Sequence, residues 1–481
     1  MKKSILSLLA ATVLLCACGD DSEENQQKGS QQTITSIEVT SPALQRAVVS
    51  TDDAVRVNWQ QADQIGAVGT GLTDSDCEAF TIESGMGTTA ATFANTSSHI
   101  TSLFAVMYPY QPDVAWTNGK LVCEIPSVQT AVAGSFDCRA ALMYNIGKES
   151  KTTLQYAVNF LKVRITDNNV HAITINSDEA LSGKVEISKT GVTASANAIG
   201  SVTLTAGDQR VLNAGEYYIA VKAGNLEQTS ISLIYYNPDH TATVKTKAIG
   251  SLTFNGAGSV QDISPDFSTG SVTSREAVQL WQDGPYFALC NIGANQPYEF
   301  GEYFAWGETK MQSDSLYEDA SYSLCNGTIW GKLTKYCTRA TYGIVDGKTT
   351  LDPEDDAATA NWGYPWRMPN ATEIGQLVTR CNNGELHKEW LPMNGVNGLK
   401  ITGLNAYANN SIFLPGGGKV ENSLWSREFS YYTTGLYWSN TIGYEDHWAL
   451  FLSFYDMEVY QRIEISNGTR YTGGTVRAVC L

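Results

Sequence analysis

Short apolar stretches with a two-residue period, broken by Gly, Asn and Asp, constrain the fold of this chain more than any other feature. Residues 154–166 read LQYAVNFLKVRIT, in which every second side chain from Leu154 to Phe160 is large and apolar. Because successive side chains of a β-strand point to opposite faces, this pattern predicts a strand with a buried face. Similar stretches recur at short intervals from Thr33 to Tyr235, which predicts β-sandwiches. The length fits two of them, over residues 34–167 and 168–267.

Size and charge limit the number of domains and the kinds of partner. A chain of 481 residues is too long for a single hydrophobic core, so several domains are expected. The formal net charge is −17, and no patch is rich in Lys or Arg. We therefore expect no nucleic-acid partner and no binding to anionic membrane surfaces through basic residues.

The first residues have the pattern of an export signal. A short basic start precedes an apolar run from Ile5 to Leu15, which is too short to span a bilayer comfortably. Small residues follow this run, so a signal peptide is predicted over residues 1–17. Cleavage there makes Cys18 the first residue of the mature chain, and an ordinary signal peptide cleaved near the same place is the alternative.

The pair Ala17-Cys18 resembles the cleavage site of bacterial lipoproteins, which implies that Cys18 carries the lipid. Residues 18–33 are polar and include an acidic cluster. A segment with so little to bury cannot offset its ordering entropy, so a flexible tether is predicted. The cluster resembles the export signal of Bacteroidetes lipoproteins, which implies a lipid anchor in the outer membrane and exposure at the cell surface. A tether on a periplasm-facing lipoprotein is the alternative.

The cysteines are compatible with disulfides but do not assign them. Eight remain after Cys16 and Cys18 are set aside. None forms a CxxC pair, so a structural zinc site is not expected. An exported location permits disulfides, although the spacing alone leaves their connectivity open.

The region before residue 267 carries several short blocks in a fixed order. They are Trp59 with Asp63-Gln64-Ile65-Gly66, Tyr108-Pro109-Tyr110, Ile125-Pro126 with Gln129, and Ala141-Leu142-Met143, followed by the strand predicted over 154–166. In this order they resemble fimbrillin-like proteins of the Mfa-like type. The resemblance implies a lipoprotein with two β-sandwich domains that builds or decorates surface fimbriae. It also implies that other fimbrial subunits are partners, because a strand from a neighbour completes the sheet of such a subunit.

Proteolytic processing is implied by the same resemblance, because an arginine-specific protease often removes the first strand of these subunits. Arg46-Ala47 is the pair at which the cut would fall. An arginine in an exposed loop is the alternative explanation.

The chain changes character at residues 268–276, which begin with small polar side chains and are predicted to be a linker. Eight of the eleven tryptophans lie between Trp306 and Trp448, and rings this dense must mostly be buried. One helix is predicted to start at the end of residues 351–358, where the helix dipole favours the carboxylates of this run. A second is predicted to start after Asn370, where Glu373 completes a capping box.

Residues 277–481 contain an ordered series of blocks that closely resembles the Fibrobacter succinogenes major paralogous domain (FISUMP). That family is similar in turn to C-type-lectin-like and sulfatase-modifying-factor folds. The resemblance implies an α+β domain whose first and last strands meet, with a disulfide Cys290–Cys480 and a second, Cys337–Cys381. The blocks are Ala288-Leu289-Cys290-Asn291-Ile292-Gly293-Ala294, Gly301-Glu302-Tyr303-Phe304-Ala305-Trp306-Gly307-Glu308-Thr309, Lys335-Tyr336-Cys337, residues 346–369, Ser411-Ile412-Phe413-Leu414-Pro415, Tyr437-Trp438-Ser439 and Thr475-Val476-Arg477-Ala478-Val479-Cys480.

Acidic residues before the first predicted helix are candidates for a calcium site. Calcium takes six to eight oxygen ligands from nearby loop positions. The candidates are Asp346, Asp352, Glu354, Asp355 and Asp356. Their spacing is not that of an EF-hand, and helix capping is the alternative role for two of them.

Enzymatic activity is not expected. Formylglycine-generating enzymes, which the second resemblance raises as a possibility, need two close cysteines late in the chain, and only Cys480 follows Cys381 here. His387 and His447 lack the nearby Cys or spaced Ser–Asp partners of a catalytic triad, so they are predicted to be surface or loop residues.

Aromatic residues near the C-terminus are candidates for stacking on a sugar, and burial in the core is the alternative for each. We therefore predict two all-β sandwiches followed by an α+β C-type-lectin-like domain. The predicted function is a cell-surface lipoprotein adhesin, a minor or tip component of a fimbria, that binds a glycan or protein ligand. The alternative is a glycan-capturing lipoprotein of a nutrient-uptake system without a fimbrial role. The aromatic candidates are Trp425, Tyr431, Tyr432, Tyr437 and Trp448.

Overall fold

The computed structural model describes residues 33–42, 45–46, 58–72, 76–207, 211–312, 317–421, 424–425, 433–456 and 461–480. Within these ranges the chain is built mostly from β-strands in several sheets, as the sequence predicts. The predicted signal peptide and nearly all of the predicted tether lie outside the described residues, and so do Cys18 and Ala47.

The first part of the chain is dominated by one eight-stranded sheet with the order β11-β1-β5-β4-β3-β6-β10-β12. Its pairs are antiparallel except for β1 with β11. The strands up to residue 156 are β1 (Ser36–Thr40), β2 (Gln45–Arg46), β3 (Gln64–Thr70), β4 (Glu78–Ser84), β5 (Ala90–Ala94), β6 (Ser102–Tyr108), β7 (Ala115–Thr117), β8 (Lys120–Ile125), β9 (Val128–Thr130), β10 (Met143–Ile146), β11 (Lys151–Thr153) and β12 (Gln155–Tyr156).

The middle of the chain completes two four-stranded sheets, with the orders β18-β13-β21-β2 and β16-β15-β8-β7. Each combines strands from the middle with strands from the first part. The strands of the middle part are β13 (Val158–Ile165), β14 (Ala172–Asn176), β15 (Ser182–Ser188), β16 (Gly191–Ile199), β17 (Ser201–Thr205), β18 (Gly215–Lys222), β19 (Leu226–Tyr236), β20 (Thr241–Leu252) and β21 (Ser259–Asp262).

The last part of the chain holds three small sheets, β24-β25-β26, β27-β28 and β29-β30-β31, together with two helices. A second eight-stranded sheet, with the order β32-β23-β22-β20-β19-β14-β17-β9, joins this part to the middle. The elements are β22 (Val272–Gln279), β23 (Tyr286–Ala288), α1 (Ala357–Trp362), α2 (Ala371–Asn382), β24 (His387–Met393), β25 (Val396–Thr402), β26 (Ser411–Pro415), β27 (Val420–Glu421), β28 (Leu424–Trp425), β29 (Thr433–Ile442), β30 (Trp448–Asp456), β31 (Gln461–Thr469) and β32 (Val479–Cys480).

Strand pairing crosses both boundaries that the sequence predicts. β8 pairs with β15 and β9 pairs with β17, so strands from before and after residues 167 and 168 share sheets. The second half of the predicted linker 268–276 belongs to β22, which pairs with β20 and β23. Its small polar side chains lie along the more exposed half of that strand, which explains why their composition indicated a linker.

The alternating stretch at 154–166 forms β12 and β13 and confirms the predicted strand. Leu154, Tyr156 and Phe160 lie in the first hydrophobic core, which the first eight-stranded sheet covers. Further along β13, Leu161 and Val163 face a different core, against the second eight-stranded sheet. β13 therefore lies between two cores, and burial on both faces accounts for its high content of apolar residues.

Both predicted helices form, and the second has the predicted cap. Asp356 caps α1 by accepting the backbone N–H groups of residues 358 and 359. Asn370 and Glu373 form the capping box of α2. The Arg367 guanidinium donates to both carboxylate oxygens of Glu373, at 2.8 and 2.6 Å, and this pair holds the turn before α2 against the helix start.

Candidate functional site

Three of the five candidate calcium ligands lie together before α1. Carboxylate oxygens of Asp352, Glu354 and Asp355 lie within 4.8 Å of one another. The Lys335 ammonium lies 2.5 Å from an oxygen of Asp355 and 3.7 Å from an oxygen of each of the other two. Lys348 adds a second ammonium, 2.6 Å from Asp352. Two lysines therefore offset most of the negative charge of the three carboxylates.

The other two candidate ligands, Asp346 and Asp356, are used by the backbone. Asp346 accepts three backbone N–H groups, which outweigh the opposing effect of burial and lower its pKa. Asp356 is 3% exposed, and burial raises its pKa although it also accepts three backbone N–H groups. The structure thus divides the five residues among separate roles. Of the five, Asp352, Glu354 and Asp355 are the ones whose oxygens lie close enough together to share one cation.

Neither predicted disulfide forms, since all four cysteines are free thiols. The register pairs Cys480 with Tyr286, four residues before Cys290. Cys290 lies beyond the end of β23, so the two cysteines do not face each other across this pair of strands. Cys337 and Cys381 lie in different hydrophobic cores.

A concave cleft of about 530 Å³ lies against the sheet β29-β30-β31. Leu436 on β29 pairs with Ser453 on β30, and Phe451 lies further along the same face of β30. Gly468 on β31 keeps the cleft open beside Phe451, because a Cβ at this position would lie 3.1 Å from the Phe451 ring. The other residues that line the cleft are Gly418, Lys419, Glu421, Thr434, Gly435, Trp448, Asn467, Thr469 and Thr472.

The polar side of the cleft is organised around Glu421. Its carboxylate accepts hydrogen bonds from the Lys419 ammonium and from the hydroxyls of Thr469 and Thr472. Each of the two hydroxyl bonds is 3.1 Å long. Burial acts to raise the pKa of Glu421, but the Lys419 ammonium and the two hydroxyls outweigh it and lower the pKa. Glu421 is therefore ionised at neutral pH, and its charge is balanced by Lys419.

The apolar side of the cleft includes Trp448, a half-buried residue among the predicted sugar contacts. Behind it lies the His447 ring, with ring centroids 4.9 Å apart, and Trp330 packs on His447 at 4.0 Å. His447 is a loop residue as predicted, but its side chain is fully buried rather than at the surface. The predicted surface residue His387 is exposed, on β24.

The other predicted sugar contacts do not join Trp448 in the described part of the cleft. Tyr437 is 2% exposed, and its hydroxyl donates to the Pro415 carbonyl at 2.8 Å, so it is a core residue. Trp425 lies on β28, but its side chain is outside the described residues, as are Tyr431 and Tyr432.

Sequence reasoning missed the polar residues of the cleft, above all Lys419, Glu421 and Asn467. Lys419 and Glu421 lie in β27 and the turn before it, and Asn467 lies on β31. More than forty residues of sequence separate the two places. No local motif connects them, because only the packing of β27 against the turn after β31 brings them together. Val420 and Gly473 exchange backbone hydrogen bonds there, at 2.9 and 2.8 Å.

Fold and cleft together define a mostly β, multi-sheet protein with a concave site that mixes aromatic and polar groups. Comparisons with protein-family models, with curated proteins and with solved structures found no match. In the part of the chain that the structure describes, no helix has the length and apolar character needed to cross a bilayer.

Proposed function

We propose that this protein is a cell-surface lipoprotein adhesin that binds a glycan in the cleft beside Trp448. The observation that carries the proposal is the cleft itself, where indole and phenyl rings lie next to hydroxyl, amide and carboxylate groups. A sugar ring presents C–H groups on its faces and hydroxyls around its edge. It therefore needs this combination of an apolar surface and a few placed polar groups.

The charges in the cleft favour an uncharged sugar. Lys419 and Glu421 are paired with each other, so the ammonium and the carboxylate balance. The two groups still offer hydrogen-bond donors and acceptors to hydroxyl groups, and Asn467 and Ser453 offer more. An anionic ligand would have to compete with Glu421 for the Lys419 ammonium, and a cationic ligand would have to compete with Lys419 for the Glu421 carboxylate.

The fimbrial part of the proposal is supported by the position of β1. This strand lies between β5 and β11, and Ile37 and Val39 on it are buried in the first core. A cut after Arg46 would remove β1 and expose two strand edges and an apolar groove, which a strand from a neighbouring subunit would fill. The Arg46 backbone pairs in register with Val260 on β21, so the protease would have to reach a paired segment.

The experiment is glycan-array binding by the mature chain, followed by affinity measurements on the glycans it selects. Trp448→Ala removes the indole, and Trp116→Ala, which removes a half-buried indole in the first part of the chain, is the matched control. We expect at least tenfold weaker binding for Trp448→Ala, or about 1.4 kcal/mol, and no change for the control.

Binding of one class of uncharged glycan that depends on Trp448 supports the proposal. Absence of any glycan binding, or equal loss in both variants, contradicts it. Assembly into polymers after arginine-specific proteolysis tests the fimbrial part separately, and a chain that stays monomeric after the cut contradicts that part.

A further inference from the structure

One tryptophan is displayed at the surface close to the glycan cleft. Trp330 is 59% exposed, whereas every other tryptophan whose side chain the structure describes is buried or half-buried. Single exposed apolar side chains are common, but an exposed indole that continues into further aromatic surface marks an interaction site.

The turn that carries Trp330 is fixed in place. The carboxylate of Asp319 accepts the backbone N–H of Ile329 and the hydroxyl of Thr328, each at 2.6 Å. The Trp330 N–H donates to the same hydroxyl at 3.3 Å, and the Ile329 side chain is fully buried. The indole is therefore held in position before any ligand arrives, which lowers the entropy lost on binding.

The buried ring of His447 connects this indole to the cleft. The ring centroid of His447 lies 4.0 Å from that of Trp330 and 4.9 Å from that of Trp448. Trp448 lines the cleft at the start of β30, where it pairs with Thr469, which lines the cleft as well. Trp330 is not among the lining residues. It therefore lies outside the cleft, beyond its Trp448 end.

Two tyrosines extend the aromatic surface. The half-buried Tyr342 packs on the same histidine, with ring centroids 5.1 Å apart, and the Arg339 guanidinium lies over its ring at 4.9 Å. Arg339 also donates to the Tyr444 carbonyl at 3.1 Å, and Tyr444 is 78% exposed. We call the rings of Trp330, Tyr342 and Tyr444 the aromatic patch.

Arg339, the cation that packs against the aromatic patch, is already paired. Its guanidinium lies 3.5 Å from the carboxylate of Asp446, which is 1% exposed. The half-buried Glu445 lies beside His447 and offers a carboxylate that can accept sugar hydroxyls. An uncharged sugar can thus occupy this surface without breaking an ion pair, as in the cleft.

We propose that the aromatic patch is a second sugar subsite, so that the ligand of the cleft is an uncharged oligosaccharide which lies beside Trp448 at one end and stacks on Trp330 further along. This inference rests on the proposed function. Rigid exposed rings match the C–H faces of sugars, and the neighbouring polar groups match their hydroxyls. Because Trp330 lies outside the cleft, a short sugar that fills the cleft leaves it free, and affinity should rise with chain length.

The test is calorimetric titration of the mature chain with neutral oligosaccharides of two lengths. The pairs are maltose and maltohexaose, cellobiose and cellohexaose, and chitobiose and chitohexaose. In at least one pair the hexasaccharide should bind about tenfold more tightly than the disaccharide. Trp330→Ala should remove that gain and leave disaccharide binding unchanged, whereas Trp448→Ala should weaken both. Trp330→Tyr, which keeps a ring, should retain most of the gain, and Trp116→Ala is the matched control.

The outcomes separate this inference from the proposed function. Equal binding of the two lengths, with loss in Trp448→Ala, overturns the second subsite and leaves the glycan cleft in place. Equal weakening of both lengths by Trp330→Ala also overturns it, because the indole would then only support the cleft. Absence of binding by all six sugars and on the glycan array contradicts both. If Trp330→Ala leaves sugar binding unchanged but converts a dimer to a monomer in sedimentation velocity, the patch joins two copies of the chain and the inference is wrong.

Discussion

Arg477, just before β32, is a buried cation whose removal should destabilise the C-terminal part of the chain. It is 3% exposed, and its guanidinium donates to the side-chain oxygen of Asn291 at 2.8 Å. It also donates to the carbonyls of Ala288, Leu289 and Phe413, at 3.0, 2.8 and 2.8 Å. These bonds tie the last segment of the chain to the residues around β23 and to β26.

Arg477→Met keeps most of the side-chain volume but removes the donor of four hydrogen bonds, three of them buried and one partly buried. A hydrogen bond to a charged group contributes about 1.5–3 kcal/mol, so the gross loss is roughly 6–12 kcal/mol. Relief from burying the charge offsets a large share, and removal of one partner from a buried charged network costs about 3–5 kcal/mol in practice. We expect the free energy of unfolding to fall by about 3–5 kcal/mol.

Urea unfolding followed by tryptophan fluorescence measures this loss. Nine of the eleven tryptophans lie from Trp281 onward, so the signal reports mainly on the C-terminal part. Arg164→Met is the matched control, because the Arg164 side chain is 63% exposed and its loss should leave that signal unchanged. A loss below about 1 kcal/mol for Arg477→Met would refute the argument, since the four bonds would then contribute less than one ordinary hydrogen bond.

Three further results are expected. Burial lowers the pKa of His447 in the folded chain. Below about pH 6.5 the unfolded chain therefore binds more protons than the folded chain. The free energy of unfolding should fall as pH decreases from there through the lowered folded pKa. Urea midpoints measured across this range check the fall, and a slope that His447→Phe leaves intact would count against it. Calcium or a chelator should leave the thermal midpoint unchanged, because Lys335 and Lys348 already pair with the carboxylate cluster. A rise with calcium would contradict this expectation. Peptide mapping without reductant should recover Cys290 and Cys480 as separate thiols, whereas a linked peptide would show that the register is wrong.

Signals that act over a few residues were predicted correctly. Asn370 caps α2 as predicted, and α1 begins at the end of residues 351–358 as predicted, because a helix start is set by groups only two or three residues apart. The alternation from Leu154 to Phe160 predicts its strand for the same reason, since the period of a strand follows from the geometry of neighbouring residues.

The candidate site was only partly accessible from the sequence. Trp448 was recognised as a candidate by residue type, but Tyr437, of the same type, is a core residue. Residue type does not say which rings a sheet buries. The carboxylates Asp352 and Asp355 were recognised as a group, whereas Lys335, which pairs with both, is about twenty residues away in sequence and could not be assigned to them.

The sequence by itself determined the mostly β character of the chain, its two capped helices and its acidic balance, because each follows from composition or from contacts within one turn or strand. Only the tertiary structure decided which strands share a sheet, how β23 and β32 are aligned, and that Glu421 and Trp448 line one cleft. These depend on contacts between residues far apart in sequence. The free energy of such contacts comes from burying whole surfaces together, and no single segment encodes it.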